Sequence, residues 1–494
     1  VSASPVPGFG EALRFWFKLG CIGFGGPAGQ IAIMHAELVE RRRWISERRF
    51  LHALNYCMVL PGPEAQQLAT YLGWLLHRTR GGIAAGMLFV LPSLLLLLAL
   101  SWLYMTHGRH PLVAGAFYGI KPAVTAIVLH AAWRIGSRVL KAPPLWGLAL
   151  AAFVAVAVLK LPFPAIVAGA ALAGWLGGRL WPGSFAAAGP APRGVVPTAA
   201  TRAAASAATR AATNAATNAA TYAAASAAAP GDTPGSTARA PALIDDDTPP
   251  PPHAGWRPWR LAAVVAAGLL LWALPLALLA AWHGGAGTLV DMAWFFTKAA
   301  LLTFGGAYAV LPYVWQGAVV QFGWLSPAQM IDGLALGETT PGPLIMVVAF
   351  VAFVGGWGAA DLTALLGPGS AASAGVLAAL VVTWFTFLPS FVFILAGAPL
   401  VEATRGNVRL GAPLAAITAA VVGVIANLAL LLGSHVLWPR GTAASFDAVA
   451  ALLMAAAALA LFVARRGVVE VVAAAGLTGA LLAAFAPRLV TGGP

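Results

Sequence analysis

The chain has 494 residues, of which 60% are hydrophobic and only 9% charged, and its mean hydropathy is +0.83. A soluble domain carries about a quarter charged residues, so this composition excludes a soluble protein and leaves a polytopic membrane protein. The net charge of +13 is spread over short loops between apolar runs, where cations orient membrane proteins, and this speaks against a nucleic-acid partner.

The opening residues lack a basic region, short apolar core and cleavage site, so no removable signal peptide is expected. Residues 9–37 and 50–77 read as re-entrant hairpins, broken at Phe24-Gly25-Gly26 and at Pro61-Gly62-Pro63. Their arms are too short for the ~20 apolar residues that a full crossing needs. Four spans follow near 82–105, 112–138, 144–160 and 162–178. Cys21 and Cys57 lie in apolar surroundings without metal-like spacing and read as small buried side chains.

The composition then changes. Residues 182–258 are rich in Ala, Thr and Ser, end in a proline run and lack the large apolar residues that build a core. They read as a flexible tether between a membrane repeat over 1–181 and a second over 259–494. The second repeat begins with an extra span near 260–282 and continues with hairpins at 288–314 and 328–357. It closes with spans near 372–400, 407–434, 443–463 and 468–487. The expected fold is all-α, with about nine full transmembrane helices and four broken hairpins.

The two halves repeat. An offset of 280 aligns Lys18 with Lys298, Phe24-Gly25-Gly26 with Phe304-Gly305-Gly306, and Trp44 with Trp324. It also aligns Ser46 with Ser326 and Pro61-Gly62-Pro63 with Pro341-Gly342-Pro343. After an insertion the offset becomes 297 and sets Leu91-Pro92-Ser93 on Leu388-Pro389-Ser390. Loop 35–49 holds five Arg and three Glu, whereas its counterpart 315–329 holds no charge. Matched loops of opposite charge character belong on opposite membrane faces, so the halves are expected to be inverted repeats, as in secondary transporters with a central site. The hairpin reading also places Arg78, Arg80, Arg134 and Arg138 in loops on the same side as Arg41–Arg43.

Irregular backbone at membrane depth is tolerated only where protein buries it or where it lines an aqueous cavity. Hairpins from opposite faces would bring the four breaks together near the midplane. Each break starts a half-helix, whose free N–H groups and partial positive charge suit an anion. Phe24, Gly25, Gly26, Pro61, Gly62, Pro63, Phe304, Gly305, Gly306, Pro341, Gly342 and Pro343 are therefore candidate anion-binding residues. Lys18 and Lys298 precede the Phe-Gly-Gly breaks, and Lys121 lies mid-span in "YGIKPAV". All three add positive charge, although Lys18 and Lys298 read equally well as side chains that snorkel to an interface. Gln30, Asn55, Gln66, Gln67, Tyr308, Thr339 and Thr340 offer hydrogen bonds to oxyanion oxygens or to hairpin backbone. Glu64 and Glu338 flank the Pro-Gly-Pro turns, as carriers of a coupling proton or as cap and salt-bridge partners. His, Cys and Asp show no metal spacing and no phosphate-cradling GxxxxGK[ST] occurs, so no enzyme, metal or cofactor is expected.

The run "GQIAIMHAELVERRRWISERRFLHALNYCMVLPGPEAQQLATYLGWLLHRTRGG", with the Phe-Gly-Gly breaks and "FVLPS", closely resembles the chromate ion transporter family in its two-domain form. The resemblance covers about residues 9–180 and 260–487, and Pro-Gly-Pro-Glu-Ala-Gln-Gln is its most specific part. It implies an inner-membrane exporter of chromate driven by the proton motive force. The partners implied are chromate (with sulfate as an alternative dianion), protons and the lipid bilayer, and a homodimer is a candidate assembly. The long Ala-rich tether departs from the family pattern, and Glu64 faces Leu344 across the repeat, so the two half-sites differ chemically.

Overall fold

The computed structural model describes residues 7–24, 26–108, 110–180, 242–245, 248, 251–255, 257–282, 285, 287–304, 306–403, 411–439, 441 and 446–486. Among these residues the protein is an all-α polytopic membrane protein, with one isolated bridge between Ile45 and Ile244. The first half comprises α1 (Phe9–Ile22), α2 (Gly26–His35), α3 (Glu47–Val59), α4 (Glu64–His107), α5 (Pro111–Val139), α6 (Pro143–Ala157) and α7 (Phe163–Leu180). The second comprises α8 (Pro258–Trp282), α9 (Thr288–Leu301), α10 (Leu311–Trp315), α11 (Pro327–Thr339), α12 (Val347–Trp357), α13 (Ala360–Leu366), α14 (Ala371–Ala403), α15 (Gly411–Leu437), α16 (Ala448–Phe462) and α17 (Val468–Phe485).

The repeat read from the sequence reappears in the boundaries. Helix α3 and its counterpart α11 are offset by 280 at both ends. So are two short π-helical segments, Ala36–Arg41 and Gln316–Gln321. Ser46 and Ser326 cap α3 and α11 in the same way, each accepting a backbone N–H three residues on. Among the described residues, seven helices are long and apolar enough to cross a membrane, and α12 with α13, bent by 71°, makes an eighth candidate. Helices α6 and α16 coincide with two expected spans but have only 15 residues each.

The first two hairpins close on themselves. At the mouth of the first, Arg42 Nη1 lies 2.8 Å from Glu11 Oε1, and its guanidinium sits over Phe15 and Trp44. In the other half the residue matching Arg42 is Phe322, which stacks on Trp324 with centroids 4.5 Å apart. Helix α4 contains both the outgoing arm of the second hairpin and the first full span. It reverses at His77 and Arg78, where Arg78 takes φ 59°. The two arms touch through Gly73 and Gly81: a Cβ on Gly81 would stand 2.3 Å from the Gly73 carbonyl oxygen. Only glycine permits that approach.

Helix α14 passes along both sets of hairpins. Near its start, Ala374 and Ala378 crowd Gly356. Near its end, Leu395 and Pro399 line a cavity with Trp74 and Arg78. About 20 residues separate these contacts, or ~30 Å of helix, which matches the thickness of a hydrocarbon core. The long helices pack through small residues, as lipid-embedded helices do. Helix α5 meets α17 at Gly115, Gly119 and Gly479, and α15 meets α6 where Gly423 abuts the Ala149 carbonyl. In α12, residues Val347–Val354 are all buried, whereas Gly268 is the only buried residue in α8, so α8 presents nearly its whole surface to lipid.

Most of the expected tether lies outside the described residues. Its final part touches the first hairpin: Leu243 and Ile244 donate backbone N–H groups to the carbonyls of Arg43 and Trp44 at 2.9 and 3.1 Å. The cysteines are both free, with Cys57 buried and Cys21 half-buried.

Candidate functional site

The four breaks meet, and each half completes the other. Gly62, in the first Pro-Gly-Pro turn, donates its N–H to the carbonyl of Thr303, just before Phe304, at 2.8 Å. Gly342, its counterpart, donates to the carbonyl of Gly23, just before Phe24, at 3.0 Å. Gly26, Gly306, Gly62 and Gly342 all have positive φ, at 67°, 101°, 126° and 109°. That conformation is why glycine stands at each bend. The same exchange recurs one layer out. A Cβ on Gly62 would stand 2.3 Å from Ser390 Oγ, and one on Gly342 would stand 2.6 Å from Ser93 Cβ. Gly25 and Gly305 lie outside the described residues.

Three glutamines furnish the site. Gln30 is fully buried; its Nε2 donates to the Gly23 carbonyl at 2.9 Å and to the Gly342 carbonyl at 2.5 Å, pinning the cross-half contact. Gln67 Nε2 donates to Pro61 O at 2.7 Å and to Ser390 Oγ at 3.4 Å, and Gln66 Nε2 to Thr70 Oγ1 at 3.1 Å. The Oε1 atoms of all three are buried without a partner among the described residues, so each amide oxygen can still accept a hydrogen bond from a donor.

Pro63 ends the extended turn and Glu64 opens α4, while α2 starts at Gly26, so the first-half breaks lead straight into α-helix. The second-half breaks do not. They lead into 3₁₀ turns, Ala307–Ala309 after Gly306 and Leu344–Met346 after Pro341-Gly342-Pro343. The expectation that each break starts a half-helix directly is met in the first half, whereas in the second half a 3₁₀ turn intervenes. After Gly306 the α-helix is delayed to Leu311, where Pro312 falls in the first turn and its missing N–H costs nothing.

The carboxylates differ in company. Glu64 is part-exposed, and its Oε1 lies 3.9 Å from where a Cβ on Gly306 would stand. Glu338 Oε1 accepts a hydrogen bond from Tyr308 OH at 2.7 Å, and the positive charge of Arg134 reaches both. Thr339 and Thr340 return their hydroxyls to carbonyls of their own helix. Asn55 is half-buried on α3.

The lysines separate. Lys121 Nζ stands 3.4 Å from Asp332 Oδ2, which also accepts from Tyr104 OH at 2.8 Å. This triad joins α5 and α4 of the first half to α11 of the second. Asp332 Oδ1 is buried without a partner. Lys18 and Lys298, by contrast, are exposed on the outer sides of α1 and α9, Lys298 lying 5.8 Å from the Trp294 ring. The structure does not bring them to the breaks. The buried positions of α1 are Ala12, Phe15, Trp16 and Leu19, an i, i+3, i+4, i+7 stripe that excludes Lys18.

Asp332, Tyr104, Arg134, Ser93 and Ser390 were not among the expected site residues. The signal for Asp332 was present, as a carboxylate inside the apolar arm "QMIDGLALG". Arg134 and Arg138 were read as loop cations, but α5 continues to Val139 and carries both in its final turns.

Comparison with known proteins bears on this arrangement. The chromate transporter family model matches residues 10–175 and 290–480, one block in each half. A chromate transport protein of Pseudomonas aeruginosa is 32% identical over 425 residues, 85% of this chain and 80% of its own length. One from Cupriavidus metallidurans is 26% identical over 443 residues, 88% and 85% of the two chains. The uncharacterized transporter YwrA of Bacillus subtilis is 30% identical over 127 residues, 26% of this chain and 71% of its own. No solved structure matches at a significant level. The paired helix breaks, found once in each half, and the match of both halves to one family place the chain in the chromate transporter family.

Proposed function

We propose that the protein is a secondary transporter that exports chromate across the inner membrane, coupled to the proton motive force. The observation that carries this reading is the reciprocal pair of bonds from Gly62 to Thr303 and from Gly342 to Gly23. It joins the four irregular turns in cross-half pairs, with the part-exposed carboxylates Glu64 and Glu338 flanking the Pro-Gly-Pro turns. Backbone N–H groups in the first turns of α4 and α2 offer donors and partial positive charge to a dianion. Such an anion enters hydrocarbon only if the site replaces its hydration.

Alternating access is the transport scheme that the arrangement of the hairpins supports. The mouths of the first-half hairpins lie near the end of α14 and those of the second half near its start. With Arg41–Arg43 cytoplasmic, this supports two inverted repeats over 1–181 and 259–494, joined by the linker 182–258, rocking about the shared breaks. Glu64 and Glu338 are the proton-carrying groups in this scheme. Lys121 reaches the anion only by leaving Asp332.

The test is chromate uptake into inside-out vesicles with an imposed pH gradient. An acidic lumen should raise uptake by wild type several-fold, and Glu64→Gln with Glu338→Gln should abolish that increment while leaving downhill flux. Flux indifferent to the pH gradient in wild type would instead identify a passive anion channel. Excess sulfate in the medium measures whether the site separates the two dianions.

A further inference from the structure

A cavity of about 330 Å³ lies at the arginine-rich end of the bundle, far from the helix breaks. It is walled by the reversal of α4, the start of α8 and the end of α14. Arg78, Arg257 and Arg260 line it, with Trp74 and His253 beside them, and among the described residues no acidic side chain lines it. Arg260 Nη1 donates to the His253 carbonyl at 3.3 Å, and its guanidinium lies over Trp259. Arg78 and Arg257 have no ion-pair or hydrogen-bond partner among the described residues. Arg78 is held there by a left-handed backbone, φ 59°, at the point where α4 turns back. A second cavity, of about 470 Å³, shares Arg78 and His253 and adds Arg80.

The other wall is apolar. Leu261, Val264, Leu395 and Pro399 continue the cavity toward the membrane interior, along a helix whose flank is almost wholly open to lipid. Positive charge at one end and an apolar channel at the other describe an amphipathic anion. A small inorganic oxyanion would need only the first. Trp259, 63% exposed at the start of α8, stands where indoles collect at the headgroup level. Basic pockets between helices on the cytoplasmic side suit acidic lipid headgroups.

We propose that this cavity is a binding site for one anionic phospholipid, with its phosphate held by Arg78, Arg257 and Arg260 and its acyl chain lying between α8 and α14. The lipid would extend the packing of α8 on α14, where Gly268 meets Val392 and Trp384 Nε1 donates to the Leu271 carbonyl at 3.1 Å, to the basic end of the two helices. This site is independent of the transport reading above.

The full chain, purified in neutral detergent, is titrated with dioleoyl phosphatidylglycerol and followed by native mass spectrometry. One lipid should bind, and R78Q/R257Q should weaken it roughly 10- to 30-fold, since each arginine near a lipid surface contributes about a tenfold factor or less. Val264→Trp leaves every charge in place and fills the apolar wall, and it should weaken binding comparably. Arg179→Gln, an arginine stacked on Trp175 elsewhere, should change nothing. Dioleoyl phosphatidylcholine should bind at least tenfold more weakly than phosphatidylglycerol. Unchanged affinity in R78Q/R257Q overturns the proposal. So does displacement of the lipid by equimolar glycerol 3-phosphate or inorganic phosphate, which would make the cavity a free-anion site.

Discussion

Gly62 and Thr303 are 241 residues apart in sequence and joined by a 2.8 Å backbone hydrogen bond. Because Gly342 and Gly23 make the matching bond, the bend in each half is closed by the other half. The surroundings of Gly62 leave no room for a side chain, since a Cβ would meet Ser390 Oγ at 2.3 Å and Gln67 Nε2 at 2.6 Å. Gly62→Ala should therefore lower thermal stability and reduce chromate flux at least tenfold. Gly342→Ala should do the same against Ser93. Gly26→Ala, where nothing lies within 4 Å, should cost only the backbone term of about 1 kcal/mol. Thermal unfolding in detergent and vesicle uptake together rank the three.

Gln30 bridges two carbonyls that belong to different halves. Gln30→Ala leaves the Gly342 carbonyl without this donor, at about 1–3 kcal/mol, while the Gly23 carbonyl keeps the Gly342 N–H. The expected result is a fall in melting temperature, with a larger fall in flux than any surface glutamine produces. A neutral outcome in both measurements would remove Gln30 from the site.

The Lys121–Asp332 pair supports a double-mutant cycle. Lys121→Met alone strands a carboxylate whose side chain is only 4% exposed. It should destabilise by about 2 kcal/mol or more, because breaking a buried pair costs more than replacing it. Lys121→Met with Asp332→Asn should recover much of that loss, since Tyr104 OH still finds an acceptor. If the single and double variants unfold alike, the two groups do not interact.

Topology is open to labelling. Arg41 and Val320 are among the most exposed residues near the mouths of the first hairpins of the two halves, at 71% and 73%. In a background of Cys21→Ser and Cys57→Ala, Arg41→Cys should react with a membrane-impermeant maleimide only in inside-out vesicles. Val320→Cys should react only in right-side-out ones. Reaction of both from one face would overturn the inverted arrangement.

Much of this was legible in the sequence because backbone chemistry writes itself locally. Phe24-Gly25-Gly26 and Pro61-Gly62-Pro63 interrupt apolar runs, and a 280-residue offset repeats them. What sequence could not give was partnership across the halves. The pairing of Tyr104 and Lys121 with Asp332 depends on how α4, α5 and α11 pack, and no local pattern encodes that. Lys18 differs in the opposite sense, as a candidate that the structure leaves away from the breaks. Its place off the buried stripe of α1 was available from periodicity, but its charge and its match to Lys298 drew it toward the site. Arg134 was assigned to a loop because a charged residue near a span end is usually outside, whereas α5 keeps it within reach of Glu338.

The crossed contacts have a consequence for how the chain can change over time. The side chain that comes nearest at position 62 is Ser390, with Gln67 of the same half behind it, and the one that comes nearest at position 342 is Ser93. A mutation in one half is thus first felt in the other, and neither half can drift alone. Duplication gave the chain two copies of one motif, and the exchange of partners made each copy the template against which the other is held.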